Sequence, residues 1–252
     1  MSEQLHIKEF LYKMADDLLI LGHRNSEWTG FGPLLEEDIA FSSMAQDKIG
    51  QSLALYTILN QMGEQDPDTI AFMRNANQFH CSHLVEQPNG EYDFSLVRHF
   101  LYDHADYLRF EALTNTNFPP LGKVARKFKG EVKYHVFHGD TFLMKLGTGN
   151  EESHTRMQNS LNNTFNLALG IFEPSPYEDQ LVADGVFIGE KALKERWLEA
   201  ISPVIQKAGL TLPAESTWQP VYGGRKGQHT EYLQPLLDEM TEVFRIDPGA
   251  EW

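Results

Sequence analysis

Met44-Ala45-Gln46-Asp47-Lys48-Ile49-Gly50-Gln51-Ser52-Leu53 is the stretch whose reading decides the fold. It lies inside a longer pattern in which Phe41, Met44, Lys48, Gln51, Leu55, Ile58 and Met62 recur at alternating steps of three and four. That step marks the seam of a helix packed in a bundle. Five of the seven seam positions are apolar, and the central two are Lys48 and Gln51. An uncompensated charge in a buried seam is very costly, so Lys48 demands a reason.

Similar seams lie to either side. Ile7, Leu11, Met14, Leu18, Leu21, Asn25 and Trp28 predict a first helix over 5–28, ended by Gly30, Gly32 and Pro33. The second helix follows at once and runs from about Leu34 to Met62, so the two are expected to be antiparallel neighbours. After an irregular stretch, in which Asp68 is a candidate cap for a short helix, a third long helix is expected over 93–115. Its seam is Leu96, Phe100, Asp103, Tyr107 and Phe110. Pro119-Pro120 opens a fourth, with Leu121, Ala125, Phe128, Val132, His135, Gly139, Phe142 and Leu146 in unbroken fours and threes. Further helices are expected over 151–172, 190–208 and 230–244, with an extended or loop piece over 181–188 and a Gly- and Pro-rich loop over 213–228. The chain is expected to be all-α: a ferritin-like four-helix bundle with additional C-terminal helices, forming one domain with a core over about 5–172 and C-terminal helices and tail over about 173–252. Gly50 and Gly139, unfavourable within helices, are expected to mark close helix approach.

The formal net charge of -15 argues against nucleic acid or an anionic membrane as partner. Basic residues gather only locally, at Lys123 to Lys133 and at Arg225-Lys226, and such runs are first read as solvated faces. Cys81 is the sole cysteine, which rules out an intramolecular disulfide and a thiolate cluster and leaves a small buried residue as its first reading. The first ten residues show no basic region followed by an apolar run, and no apolar run approaches the ~20 residues of a bilayer span. A cytoplasmic protein is expected.

In four-helix carboxylate di-iron proteins, two helices each supply one carboxylate and the other two each supply Glu-x-x-His. The same frame falls here on Glu27, Lys48 with Gln51, Asp103, and Val132 with His135. Glu27, Asp103 and His135 have ligand chemistry; lysine is cationic, valine apolar, and glutamine a weak neutral donor. The frame is expected to be vestigial, with Lys48 supplying the positive charge a metal would bring. Asp103 can also pair with Lys48, His99 or Arg98, and His135 can be an ordinary hydrogen-bonded core histidine. Glu131 and His138 lie beside the seam as stand-in ligands for a rearranged iron site. Gly223-Gly224-Arg225-Lys226-Gly227, before the last helix, reads either as an anion or partner loop or as an ordered turn that docks that helix.

Several stretches carry a resemblance: R-N-S-E-W-T-G at 24–30, Q-D-K-I-G-Q at 46–51, D-T-I-A-F-M-R at 68–74, V-E-Q-P-N-G at 85–90, E-V-K-Y-H at 131–135, G-G-R-K-G-Q-H-T-E-Y-L at 223–233 and the tail P-G-A-E-W. Across essentially the whole chain the sequence resembles the C subunits of bacterial phenylacetyl-CoA epoxidase, the ring 1,2-phenylacetyl-CoA monooxygenase. The resemblance implies a non-catalytic subunit without a cofactor of its own. It also implies a catalytic A subunit that holds the di-iron centre and the CoA thioester, further members of the complex, and a separate reductase. No catalytic residue is carried over, because Lys48, Gln51 and Val132 depart from the ligand pattern. Self-association of the isolated chain stays open, as does an independently active iron oxygenase using Glu27, Asp103, Glu131, His135 and His138.

Overall fold

A computed structural model describes residues 4–250. The M-S-E start and the last two residues of the P-G-A-E-W tail lie outside the described residues. The described chain is helical, of ferritin-like helical-bundle class, with no strand among these residues. It divides into two compact units, one formed by the chain up to Pro88 together with the stretch from Gly223 onward, the other by Asn89–Tyr222.

In the first unit, α1 (Leu5–Ser26) packs along α2 (Leu35–Gln61), the antiparallel pair expected from their short connection. Ser52 Oγ ties them by donating to the Ala15 carbonyl at 2.9 Å. Every α2 seam position from Phe41 to Ile58 is buried, and Lys48 and Gln51 are both 0% exposed. Three shorter α-helices complete the described α-helices of this unit: α3 (Pro67–Phe72), α4 (His83–Glu86) and, near the end of the chain, α10 (Leu233–Ile246). The cap of α3 is Asp66, not Asp68: its carboxylate accepts from the Thr69 amide at 2.9 Å and Pro67 takes the first helical position. Pro67 has no amide hydrogen to leave unsatisfied there, which sets the boundary earlier than the sequence suggested.

In the second unit, α5 (Tyr92–Leu113) and α6 (Pro119–Gly147) form the corresponding pair, with α7 (Glu151–Leu169) and α9 (Glu190–Lys207) packed against them. Trp197 of α9 is fully buried, stacks with Phe165, packs on Phe172, and donates its indole N–H to the Leu101 carbonyl at 2.9 Å. The 181–188 stretch, expected as extended chain or loop, instead opens within a short helix, α8 (Glu178–Ala183). One and a half turns carry too little apolar periodicity to be seen, and the Leu181 that anchors α8 is its one buried residue. The C-terminal helices do not stand apart: α8 and α9 fall in the second unit and α10 in the first.

The two helical glycines differ. A Cβ on Gly139 would lie 3.3 Å from Cα of Phe100, so α6 does approach α5 closely there. Gly50 is exposed and a Cβ would meet nothing within 4 Å, so close approach is not the reason for it. Gly147, at the end of α6, is more tightly enclosed: a Cβ would come 2.4 Å from the Ala208 carbonyl oxygen. Gly50→Ala should therefore stabilise the protein by about 0.5–1 kcal/mol through helix propensity. Gly147→Ala should destabilise it by ~1–3 kcal/mol through overpacking. Urea unfolding of both variants checks this, and a destabilising Gly50→Ala would mean that its helix face is covered.

Candidate functional site

The first unit is built around two consecutive carboxylates of α1. Asp16 and Asp17 are 0% and 1% exposed, within the otherwise apolar run Met14 to Leu21. Asp16 receives the Arg74 guanidinium through two contacts, Nη2 to Oδ1 at 2.6 Å and Nη1 to Oδ2 at 3.1 Å. The Tyr56 hydroxyl donates to Oδ1 at 2.6 Å and the His80 amide to Oδ2 at 2.6 Å. Arg74 also lies over the Phe79 ring at 4.0 Å and donates to the Ile70 and Gln78 carbonyls. Burial pushes the Asp16 carboxyl up, but Arg74, His80 and Tyr56 together hold it below its ordinary range. Tyr56 moves the opposite way: burial first, then the Asp16 charge, keep its hydroxyl protonated.

Asp17 performs the same service for the end of the chain. Arg225 forks onto it, Nη1 to Oδ1 at 2.8 Å and Nη2 to Oδ2 at 2.7 Å, and Nη1 also donates to the Lys13 and His80 carbonyls. The Ser82 amide donates to the same carboxylate at 2.7 Å. The glycines of this loop allow close approach to the chain itself. Gly223 and Gly227 have φ of 128° and 73°; a Cβ on Gly224 would lie 2.1 Å from the Cys81 carbonyl, and one on Gly227 would lie 2.4 Å from that of Asn77. Of the two readings of Gly223-Gly224-Arg225-Lys226-Gly227, the geometry is that of a docking turn. The Arg225 cation is buried against Asp17, and an anion from solvent does not meet it; Lys226 stays exposed.

Among the vestigial-site positions, the first unit places Lys48 and Gln51 together on the buried stripe of α2. Glu27 follows the last residue of α1 and pairs with Arg24 at 2.7 Å, its side chain one-third exposed. In the second unit Asp103 of α5 and Val132 and His135 of α6 are all fully buried. Asp103 pairs with His99 one turn earlier, one of the partners its position suggested, and its other oxygen lies 3.9 Å from Nδ1 of His135. His138 Nδ1 lies 3.2 Å from His99 Nε2. The contacts thus run from His138 through His99 to Asp103, the last of them a close pair of Nδ1 and carboxylate oxygen. The second unit thus brings Asp103, His135 and His138 together, while Glu131 is half-exposed on α6. His104 and Asp140 form a separate pair at 2.7 Å. Of the six positions picked out by the sequence frame, the three without ligand chemistry, Lys48, Gln51 and Val132, are all fully buried within their own units.

The sequence reading did not single out Asp16, Asp17, Arg74, Glu86 or His229. One signal was present: two adjacent carboxylates embedded in an unbroken apolar run are unlike a solvated face. Arg74, 58 residues from Asp16, had none; Arg225, 208 residues from Asp17, stood out in its glycine loop, but nothing in the sequence tied it to that carboxylate.

The helical-bundle architecture and the whole-length likeness define the class. The chain matches the Phenylacetic acid catabolic protein family over residues 2–252 and belongs to it. It is 31% identical over 244 residues, 96% of this chain and 98% of the relative, to the C subunit of the 1,2-phenylacetyl-CoA epoxidase of Escherichia coli (strain K12). It is 23% identical over 192 residues, 74% of this chain and 62% of the relative, to the A subunit of the same epoxidase from that organism. Among the described residues no helix is long and apolar enough to cross a membrane.

Because Asp16 is held below its ordinary value of about 3.9, its contribution to stability is full above that pH. It is lost as pH falls through the folded-state value. Asp16→Asn should therefore cost about 3–5 kcal/mol at pH 7, where it strands the Arg74 cation, and progressively less below pH ~4. Urea unfolding of variant and parent across that range measures it; a pH-independent difference would remove the charge from the explanation. Arg225→Met and Asp17→Asn should each be similarly destabilising, and the double variant should recover part of the loss.

Proposed function

We propose that this chain is a non-catalytic structural subunit of a multicomponent di-iron oxygenase that epoxidises the ring of phenylacetyl-CoA in aerobic phenylacetate degradation. It works in the cytoplasm by supporting a catalytic A subunit, which carries the iron and the CoA ester, within a complex supplied with electrons by a reductase. The observation that carries this reading is Lys48, a fully buried cation in mid-seam at a position where a di-iron helix supplies a carboxylate. A metal ion there would meet like charge instead of a ligand. The likeness to the C subunit of an epoxidase, along nearly the full length of both chains, supports the same role.

Exposed apolar side chains supply a surface for such assembly. Tyr134 and Phe137 of α6 are 55% and 66% exposed. Phe31, Leu35 and Ile39 stand out where α1 passes into α2. Obligate interfaces are built from residues of this kind.

A second reading, an independently active iron oxygenase, draws on the meeting of Asp103, His135 and His138 in the second unit. Metal analysis and turnover separate the two. The isolated chain should hold no stoichiometric iron and turn over no phenylacetyl-CoA with reductant and oxygen, whereas the complex with its A subunit should. Near-unit iron that survives dialysis, disappears in His135→Ala, and accompanies turnover by the chain alone would overturn the structural role. Phe137→Glu should weaken binding to the A subunit by roughly tenfold or more while leaving the stability of the isolated chain within about 0.5 kcal/mol. Sedimentation of the mixed chains reads the first effect and urea unfolding the second.

A further inference from the structure

Outside the α1 carboxylates and the α5–α6 histidines, one more group of titratable side chains converges in the first unit. Among the described residues, Cys81, Glu86 and His229 bring a sulfur, a carboxylate oxygen and a ring nitrogen within 4.8 Å of one another. Glu86 Oε1 lies 3.6 Å from Cys81 Sγ and 2.7 Å from His229 Nδ1, and Sγ to Nδ1 is 3.9 Å. We infer that these three side chains form a binding site for a single divalent cation of the zinc class, distinct from the vestigial di-iron frame.

The edges of the triangle decide whether an ion fits. Its centre lies about 2.0 Å from all three atoms, against ~2.0–2.2 Å for Zn–N and Zn–O bonds and ~2.3 Å for Zn–S. A tetrahedral ion needs edges of about 3.3–3.6 Å between such ligands. The Cys81–Glu86 edge already meets this, the Cys81–His229 edge of 3.9 Å has to close by about 0.3 Å, and the Glu86–His229 edge has to open by about 0.6 Å. The fourth position goes to a water admitted as the Glu86–His229 edge opens, since the three side chains are themselves nearly inaccessible.

The surroundings are those of a prepared ligand set. His229 Nε2 faces the Phe79 carbonyl at 3.0 Å, so this nitrogen keeps its hydrogen and leaves the Nδ1 lone pair for an ion. Donation of the second ring N–H to a backbone carbonyl is the usual support for a metal-bound histidine. Glu86 Oε2 accepts from the amide and hydroxyl of Thr230, both at 2.7 Å, which fixes Oε1 as a single ligand atom. Glu86 and Cys81 are fully buried. Sulfur with imidazole selects zinc or cobalt over the hard, oxygen-seeking cations.

Binding has to displace a proton from sulfur, because burial, then the charges of Glu86, Asp16 and Asp17, push the Cys81 thiol up, against Arg225. The divalent cation takes that proton's place between the sulfur and the Glu86 carboxylate oxygen.

The test titrates chelator-treated full-length chain with Co2+ alone, then with Zn2+ alone. Wild type should take up one Co2+ per chain, with a thiolate-to-cobalt charge-transfer band in the near ultraviolet and four-coordinate d–d bands in the visible. Zn2+ should displace it, bleach both bands and raise Tm. Cys81→Ser should abolish the charge-transfer band, and His229→Gln, with helical content unchanged by circular dichroism, should weaken Co2+ binding at least tenfold. A wild-type spectrum that stays flat throughout the titration overturns the site whatever the variants do. So do bands that survive in either variant at wild-type affinity.

Discussion

Asp16 and Asp17 are the constraint on which the first unit depends. Two neighbouring carboxylates buried in one helix would repel and desolvate each other, unless each meets its own cation and its own backbone donor. Arg74 with the His80 amide answers the first, and Arg225 with the Ser82 amide the second. Consecutive residues on a helix point about 100° apart, so the two acids reach in different directions. They therefore draw in two different parts of the chain: the irregular stretch after α3, and the glycine turn before α10. Neither stretch has enough apolar periodicity to fix its own place; charge and hydrogen bonding locate both.

Buried charge is handled with the same economy in the second unit. Asp103 is met by His99 and approached by His135, and Arg109 is closed against Glu190, the first residue of α9, with both side chains nearly inaccessible. Such pairs add little net stability over apolar packing and exact a large loss when one partner is removed, so they specify register more than they add strength. The Arg109–Glu190 contact fixes where α9 begins against α5, and the Trp197 indole N–H on the Leu101 carbonyl fixes its rotation two turns later.

The long helices were legible because their seams repeat over many turns. The burial of Lys48, Gln51, Val132 and His135 followed from that repeat alone. What escaped was short or non-local. α8 is shorter than one hydrophobic period can establish, and Asp66 displaced Asp68 as cap because Pro67 sets the boundary. Gly50 was misread because sequence shows a glycine's permissiveness and not what lies opposite. The Arg225 loop showed its chemistry plainly, but a cation beside glycines looks the same whether it awaits an anion or is already buried against one. The converging atoms of Cys81, Glu86 and His229 span 148 residues of sequence, and no local spacing announces them.

The position of Arg225 has a consequence for the order of events on the ribosome. Asp17 emerges early and its cation 208 residues later, with the whole second unit lying between them along the chain. Synthesis at ~5–20 residues per second separates the two by at least about ten seconds, far longer than helices take to form and collapse. Until then α1 carries a carboxylate that burial would penalise, so the nascent N-terminal helices are held short of their final packing. The second unit, continuous in sequence, suffers no such delay. Its completion precedes that of the first, and truncation of the C-terminal turn would leave the earliest-made part of the protein as the part that cannot finish folding.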